Sequence, residues 1–128
     1  MSSQYVQTKT IDMNINNKTL RIGYSTVSIK KQSGQFTKDN MTDNYGQYLP
    51  RESKIEIQPN LTNVDEVNTL MHEILHACTW ISSLNQPGQP LDSTRDEELV
   101  VNSLANNLVQ IFIDNKWLLS YLKEKLKQ

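Results

Sequence analysis

The spacing of apolar residues changes near the middle of the chain, and this change limits the folds that the sequence can adopt. Up to residue 57 apolar and polar residues alternate, as in "IDMNI", "LRIGY" and "KIEI". Alternation of this kind is typical of strands with one buried face. After residue 62 the apolar residues recur at helical spacing, as in "VNTLMHEIL". The sequence therefore predicts a sheet that is followed by helices.

The predicted fold class is α+β, with a small antiparallel N-terminal sheet followed by three helices. A hairpin is expected around Asn16-Asn17, because Asn tolerates the positive φ angles of tight turns. Its buried face would carry the alternating apolar side chains: Ile11, Met13, Ile15, Leu20, Ile22 and Tyr24. Residues 31–52 are polar and turn-rich, which predicts a long loop. The segment "SKIEIQP" predicts one more strand, either within the core or at an edge that could pair with an extended peptide.

Three helical patterns follow, over residues 63–84, 93–115 and 116–127. Asn63 is the predicted cap of the first helix, and Ser93 or Thr94 caps the second. The third helix has an apolar side made of Trp117, Leu118, Tyr121, Leu122 and Leu126.

Length and charge restrict the classes of protein to which the chain can belong. The 128 residues fit a single domain over residues 1–128. The formal net charge is −1, without the basic excess typical of nucleic-acid binders. No apolar run approaches the roughly 20 residues of a membrane span, and the first residues lack the apolar core of a signal peptide. With Cys78 as its one cysteine the chain forms no internal disulfide, and we expect a cytoplasmic protein that binds neither nucleic acid nor membranes.

Both histidines of the chain, His72 and His76, lie in the segment "TLMHEILHACTW". Side chains four residues apart on a helix project about 40° apart, so both imidazoles can bind one ion. Glu73 lies between them and can reach a water molecule on that ion, which gives the His-Glu-x-x-His pattern a chemical basis. The spacing therefore predicts a zinc site.

A catalytic zinc site needs a third protein ligand, and here it must be a carboxylate. The start of the second helix offers Glu97 and Glu98, which would place the site between the first two helices. Asp92 and Asp96 are weaker candidates, since they lie in or near the preceding loop.

A histidine pair followed by a glutamate on the next helix resembles the gluzincin zinc metallopeptidases. The segment "ELVVNSLA" is similar to their Glu-x-x-Ala-Asn/Asp-x-x-Ala pattern, with Glu98, Asn102 and Ala105 in the matching places, although Val101 stands where Ala is usual. The resemblance covers roughly residues 53–112 and includes the ImmA/IrrE-type and short phage-encoded peptidases. It implies Glu98 as the third ligand, with Glu97 as the alternative, and Asn102 as a residue that holds a ligand histidine.

The resemblance implies a zinc-dependent peptidase with one Zn²⁺ per chain. Glu73 would act as general base toward a zinc-activated water that attacks a peptide bond. Candidates for stabilising the oxyanion or contacting the substrate are Tyr45, Tyr48 and Arg51, with Tyr121 as a further possibility. Trp80, Trp117 and Cys78 are interpreted as packing residues.

By family analogy the substrate is a protein or peptide, such as a bacterial or phage regulator. A partner protein that completes the cleft is a further expectation, because the chain lacks a second lobe. The alternative function is a catalytically inactive metal-binding module that regulates or binds other proteins.

Overall fold

The computed structural model describes residues 13–32 and 45–128, and these form a sheet of four strands followed by three helices. The strands are β1 (Thr19–Ile22), β2 (Ser25–Lys31), β3 (Gly46–Leu49) and β4 (Lys54–Ile57). A 3-10 turn, Pro50–Glu52, joins β3 to β4. The helices are α1 (Asn63–Ile81), α2 (Thr94–Asp114) and α3 (Lys116–Lys125). The predicted α+β class, with a sheet before three helices, is confirmed.

The sheet is mixed, whereas the sequence predicted an antiparallel one. Its strand order is β1-β2-β4-β3, in which β2 and β4 are parallel and the other pairs are antiparallel. Along the chain β3 precedes β4, and the chain reverses between them. β4 therefore lies between β3 and β2 and runs parallel to β2. The strand predicted over "SKIEIQP" is therefore an interior strand, and β3 rather than β4 forms the edge.

The hairpin lies closer to the C-terminus than the sequence predicted. Its turn is Gly23-Tyr24, between the paired residues Ile22 and Ser25, and Gly23 adopts the positive φ of +59° that such a turn favours. Asn17 also has a positive φ, of 69°, but it precedes β1. Tyr24 is consequently exposed at the tip of the hairpin instead of on the core face. Ile11, at the other end of the predicted hairpin, lies outside the described residues.

One face of the sheet forms the hydrophobic core. Its centre consists of four buried side chains of β2 and β4: Val27, Ile29, Ile55 and Ile57. Leu70 and Ile74 of α1 pack against them, so α1 covers this face. The cap of α1 is Thr62, one residue before the predicted one, since its Oγ1 accepts a hydrogen bond from the backbone N–H of Asp65 at 3.1 Å.

Helix α2 packs against α1, and its buried residues recur every four positions at Val101, Ala105 and Val109. Ser93 caps α2, as one of the two predicted choices, by accepting from the N–H of Asp96 at 3.0 Å. Within the described segments, none of the helices has the length and apolarity needed to cross a bilayer.

Helix α3 packs against α2 and contributes no buried residue. Leu118 and Leu122 are half-buried, as expected for the predicted apolar side. Trp117, Tyr121 and Leu126 are exposed, so the apolar side of this helix is narrower than predicted.

Two adjacent valines of α2 test the packing of α1 on α2. Val101 is 1% exposed and Val100 is 37% exposed. We expect Val101→Ala to lower the free energy of unfolding by about 1–3 kcal/mol, because it removes buried methyl groups and leaves a cavity. Val100→Ala should change it by at most about 0.5 kcal/mol. Urea unfolding of both variants gives the comparison, and equal losses would contradict the packing, since the change in helix propensity is the same.

Candidate metal centre

Helices α1 and α2 bring together the side chains of His72, His76 and Glu98. The two Nε2 atoms lie 3.1 Å apart. Oε1 of Glu98 is 3.3 Å from Nε2 of His72, and Oε2 of Glu98 is 3.2 Å from Nε2 of His76. The potential ligand atoms of this group all lie within 4.8 Å of one another, so the group can hold a metal ion.

These separations fit ligands of a single ion. Bonds of about 2.0–2.1 Å in a tetrahedral arrangement place the ligand atoms about 3.3 Å apart. The observed separations of 3.1 to 3.3 Å are close to this value, with a different oxygen of Glu98 beside each histidine. Glu98 is thus the carboxylate that faces both imidazoles, as the resemblance implied.

Glu97 lies on the opposite side of the His76 ring. Its Oε2 is 2.6 Å from Nδ1 of His76. An ionised carboxylate only accepts hydrogen bonds, so Nδ1 must carry the hydrogen and donate it. In the neutral ring Nε2 then has a lone pair, and it is directed at the point where His72 and Glu98 converge. Glu97 therefore fixes the tautomer that a metal ligand needs.

Glu97 is itself held by two further donors. Thr79 Oγ1 donates to Oε2 of Glu97 at 2.8 Å, and Asn85 Nδ2 donates to Oε1 at 3.3 Å. Burial alone would raise the pKa of Glu97, but the hydrogen bonds from His76, Thr79 and Asn85 outweigh it and leave the pKa below its ordinary value. The carboxylate is therefore ionised, as an acceptor for His76 must be.

His72 is kept neutral mainly by burial. Burial, followed by the neighbouring His76, lowers the pKa of His72, while Glu98 and Asn102 act in the opposite direction. A neutral imidazole is the form that binds a metal ion. Asn102 lies on the exposed side of α2, and its side chain raises the pKa of His72. The sequence motif alone did not specify which of the two histidines Asn102 would accompany.

Glu73 is almost completely enclosed, with 3% of its surface exposed. Burial, and to a smaller extent the charge of Glu98, raises the pKa of Glu73 to about 8. Edge strand β3 passes directly over this side chain, because Gly46 has no Cβ. A Cβ there would lie 2.7 Å from the Glu56 carbonyl oxygen and 2.8 Å from Thr69 Cγ2. Glycine thus allows β3 to approach α1 and to enclose Glu73.

A cleft of about 330 Å³ opens beside these residues. The histidines and glutamates of the metal centre are among its lining residues. The remaining lining residues are Gly46, Gln47, Tyr48, Pro50, Trp80 and Asn85. Of the candidate substrate contacts, Tyr48 reaches the cleft, whereas Tyr45, Arg51 and Tyr121 are not among its lining residues.

The sequence did not point to Thr79, Asn85 or Trp80 as site residues. Trp80 lies four residues after His76, so helical spacing alone could have placed it beside the histidines. Glu97 shares a helix face with Val101, and a carboxylate directed into a protein needs hydrogen-bond donors. No spacing rule identifies those donors, because Asn85 comes from the loop between the helices.

Metal content separates the roles of the two adjacent glutamates. We expect about one divalent ion per chain, and its loss in His76→Ala and Glu98→Gln. Glu97→Gln should still bind the ion, with an affinity about 10- to 100-fold lower, since the amide supports His76 less well. Elemental analysis after metal loading and removal of unbound metal measures this.

Glu66→Gln is the matched control, because Glu66 of α1 pairs with Lys31 at 2.6 Å instead of with the histidines. Its metal content should equal that of the unaltered chain. Loss of the ion in Glu97→Gln, with full retention in Glu98→Gln, would reverse the two roles.

The buried Glu73 makes the stability of the metal-free protein depend on pH. Its pKa is about 8 in the folded chain against an ordinary value of 4.5, so between these values the folded state holds a proton that the unfolded state releases. Stability from this group is complete below pH 4.5 and is lost as the pH rises to about 8. Glu73→Gln, which stays neutral, should lack this loss and exceed the unaltered chain at pH 9 by up to about 5 kcal/mol.

Urea unfolding between pH 5 and 9 with a chelator present measures this difference. All other titrating groups are common to the two proteins and cancel in the comparison. Parallel pH profiles would show that Glu73 ionises normally in the folded protein.

The relation of the chain to known proteins does not add to these observations. Comparison with family models, with curated proteins and with solved structures finds no match. The resemblance to gluzincins therefore rests on the two sequence motifs, and what the site does has to be inferred from its own residues.

Proposed function

We propose that the chain is a zinc-dependent peptidase of the gluzincin type. The observation that supports this most directly is the position of Glu73. A buried carboxylate lines the same cleft as two imidazole nitrogens that lie 3.1 Å apart and the Glu98 carboxylate, which has one oxygen within 3.3 Å of each nitrogen. A purely structural metal site closes with four ligands and has no use for a separate acid–base residue.

The set of ligand atoms favours zinc and leaves one coordination position open. Two histidines and one glutamate form one of the ligand sets of catalytic zinc, with a position left for water or substrate. Two histidines and a carboxylate also bind iron(II) in oxygenases. Such enzymes need no general base next to the metal, so Glu73 favours hydrolysis.

Glu73 performs the proton transfers of the proposed reaction. Bound zinc supplies a Lewis acid that polarises the peptide carbonyl and makes water more acidic. Glu73 accepts a proton from water as the water attacks the carbonyl carbon. It then delivers that proton to the amine nitrogen as the C–N bond breaks. Burial raises the pKa of Glu73 in the metal-free protein, and a nearby cation would favour its ionised form again.

Three other side chains position the reacting groups. Glu97 holds the His76 ring by accepting a hydrogen bond from Nδ1. Asn102 raises the pKa of His72 through its side chain. Tyr48 is the one of the predicted substrate contacts that lines the cleft. Its hydroxyl would donate a hydrogen bond to the carbonyl oxygen as charge develops there. Burial, and secondarily Tyr24, raises the pKa of Tyr48, so its hydroxyl keeps the proton that it would donate.

An extended peptide is the substrate that fits the cleft. Among the described strands, β3 has a neighbour on one side only, and its residues form one wall of the cleft. A peptide strand can pair with such an edge through main-chain hydrogen bonds. Because the cleft is open, a second protein could complete it and narrow the choice of substrate.

Peptide hydrolysis by the zinc-loaded protein tests the proposal. The substrate is a mixture of peptides from a digested proteome, and new termini are detected by mass spectrometry. We expect Glu73→Gln to lower the rate by about 10²- to 10⁴-fold while the zinc content stays unchanged. Glu66→Gln should retain full activity.

Two outcomes would overturn the proposal. Equal activity in Glu73→Gln would exclude this residue as the base. Zinc binding without any hydrolysis would instead favour a metal-binding module that acts through protein contacts.

A further inference from the structure

The cleft is lined by two chemically different groups of residues. One group is acidic and belongs to the metal centre, with Glu73 and Glu98 beside the histidines. The other group is aromatic and apolar and consists of Tyr48, Pro50 and Trp80. The volume of about 330 Å³ is at the lower limit of the roughly 300–1,000 Å³ of small-molecule sites. A cleft of this volume accommodates one side chain of a bound peptide together with the adjoining backbone.

Helix α1 places Trp80 next to the reacting groups. Trp80 follows His76 by four residues, as His76 follows His72, so the three side chains form a row along one side of α1. Each step in this row is about 6 Å along the helix axis. Trp80 is 38% exposed although its side chain is large and mostly apolar, and it lines the cleft. A ligand that covers the exposed surface of Trp80 would gain free energy from its burial.

The polar side chains Asn85, Gln47 and Glu97, which also line the cleft, already have hydrogen-bond partners. Asn85 donates to Glu97 at 3.3 Å and accepts from Gln86 at 3.3 Å. Gln47 donates to Glu56 at 2.7 Å. Glu97 accepts from His76 and Thr79. A charged side chain entering here would lose water without a free counter-charge among these residues, whereas an apolar one loses nothing.

We propose that Tyr48, Pro50 and Trp80 form a subsite for a large apolar side chain of the substrate, preferably an aromatic one, next to the peptide bond that is cleaved. This inference rests on the proposed peptidase function for the position of that bond. Aromatic side chains gain from edge-to-face and offset contacts with an indole and a phenol, beyond the area that they bury.

Trp80 can report directly on occupation of the subsite. The chain has two tryptophans, and the other, Trp117, lies exposed on α3 outside the cleft. Trp117→Phe therefore leaves Trp80 as the only indole. We expect N-acetyl-phenylalanine amide to change the Trp80 emission saturably, at concentrations at least about tenfold lower than N-acetyl-alanine amide requires.

The same titration with N-acetyl-arginine amide tests the rival occupant, a cation stacked on the aromatic rings. A stronger response to arginine than to phenylalanine would overturn the proposal. So would a Trp80 signal that does not saturate with any of the three amides. Glu73→Gln in the same background excludes turnover of the probes, and the measurement works with or without metal.

Hydrolysis gives the second readout. Trp80→Ala should lower kcat/KM for peptides cleaved beside Phe, Tyr or Leu by at least about tenfold, and leave cleavage beside Ala nearly unchanged. Leu84→Ala, which alters an exposed side chain just after α1 and outside the cleft, is the control that keeps both activities. An equal fall for all peptides would indicate a damaged fold and overturn the subsite, and circular dichroism and zinc content would identify that damage.

The two proposals fail in distinguishable ways. A protein that cleaves nothing, yet gives the saturable phenylalanine response, would retain the aromatic subsite and lose the peptidase function. A protein that cleaves peptides without side-chain preference, and gives no Trp80 response, would retain the peptidase function and lose the subsite.

Discussion

The hydrogen bond between His76 and Glu97 is the contact on which the arrangement of the site depends. It spans α1 and α2, with Nδ1 and Oε2 2.6 Å apart. Consecutive residues on a helix project about 100° apart, so once Glu97 contacts one side of the His76 ring, Glu98 is turned toward the other side. Two adjacent glutamates thereby hold one imidazole from both of its nitrogens. This explains why a chain with Glu97-Glu98 can use both residues without competition between them.

Three carboxylates close together repel one another. For Glu97 and Glu98 this repulsion is offset by their position near the start of α2. Glu97 is in the first turn of α2 and Glu98 follows it, close to a helix N-terminus that Ser93 caps. The helix dipole stabilises negative charge at this end. Glu73 has no such help, and its raised pKa reflects the cost of burying it. A bound cation would stabilise this carboxylate as well, so the protein without metal carries an electrostatic penalty that metal binding removes.

The sequence predicted those features that depend on spacing along one helix. The placement of His72 and His76 on one side of α1 follows from helical geometry. Ser93 is one of the two caps that the sequence offered. Glu98, which faces both histidines, is the residue that the resemblance implied as third ligand, with Glu97 as the alternative. Features that depend on contacts between distant segments were not predictable in the same way. β2 and β4 are parallel because the chain reverses between β3 and β4, and β4 lies between β3 and β2. Alternation of apolar residues carries no information on strand direction.

The same distinction applies to individual side chains. Tyr24 alternates correctly for a core position, but the turn at Gly23 moves it to the tip of the hairpin. Trp80 was interpreted as a packing residue, although its spacing from His76 places it beside the histidines and it lines the cleft. Glu97 was expected only as an alternative ligand, and its partners Thr79 and Asn85 come from other segments of the chain.

Metal binding should affect more of the molecule than the cleft. The sheet packs mainly on α1, α2 packs on α1, and α3 packs on α2, so the placement of the last two helices depends on the contact between α1 and α2. Ala105, one of the buried residues of α2, has a small side chain that buries little apolar area. An ion bound by two ligands from α1 and one from α2 would join the helices at this contact. Since it binds the folded arrangement and not the unfolded chain, its binding free energy adds to the stability of both helices that follow the cleft.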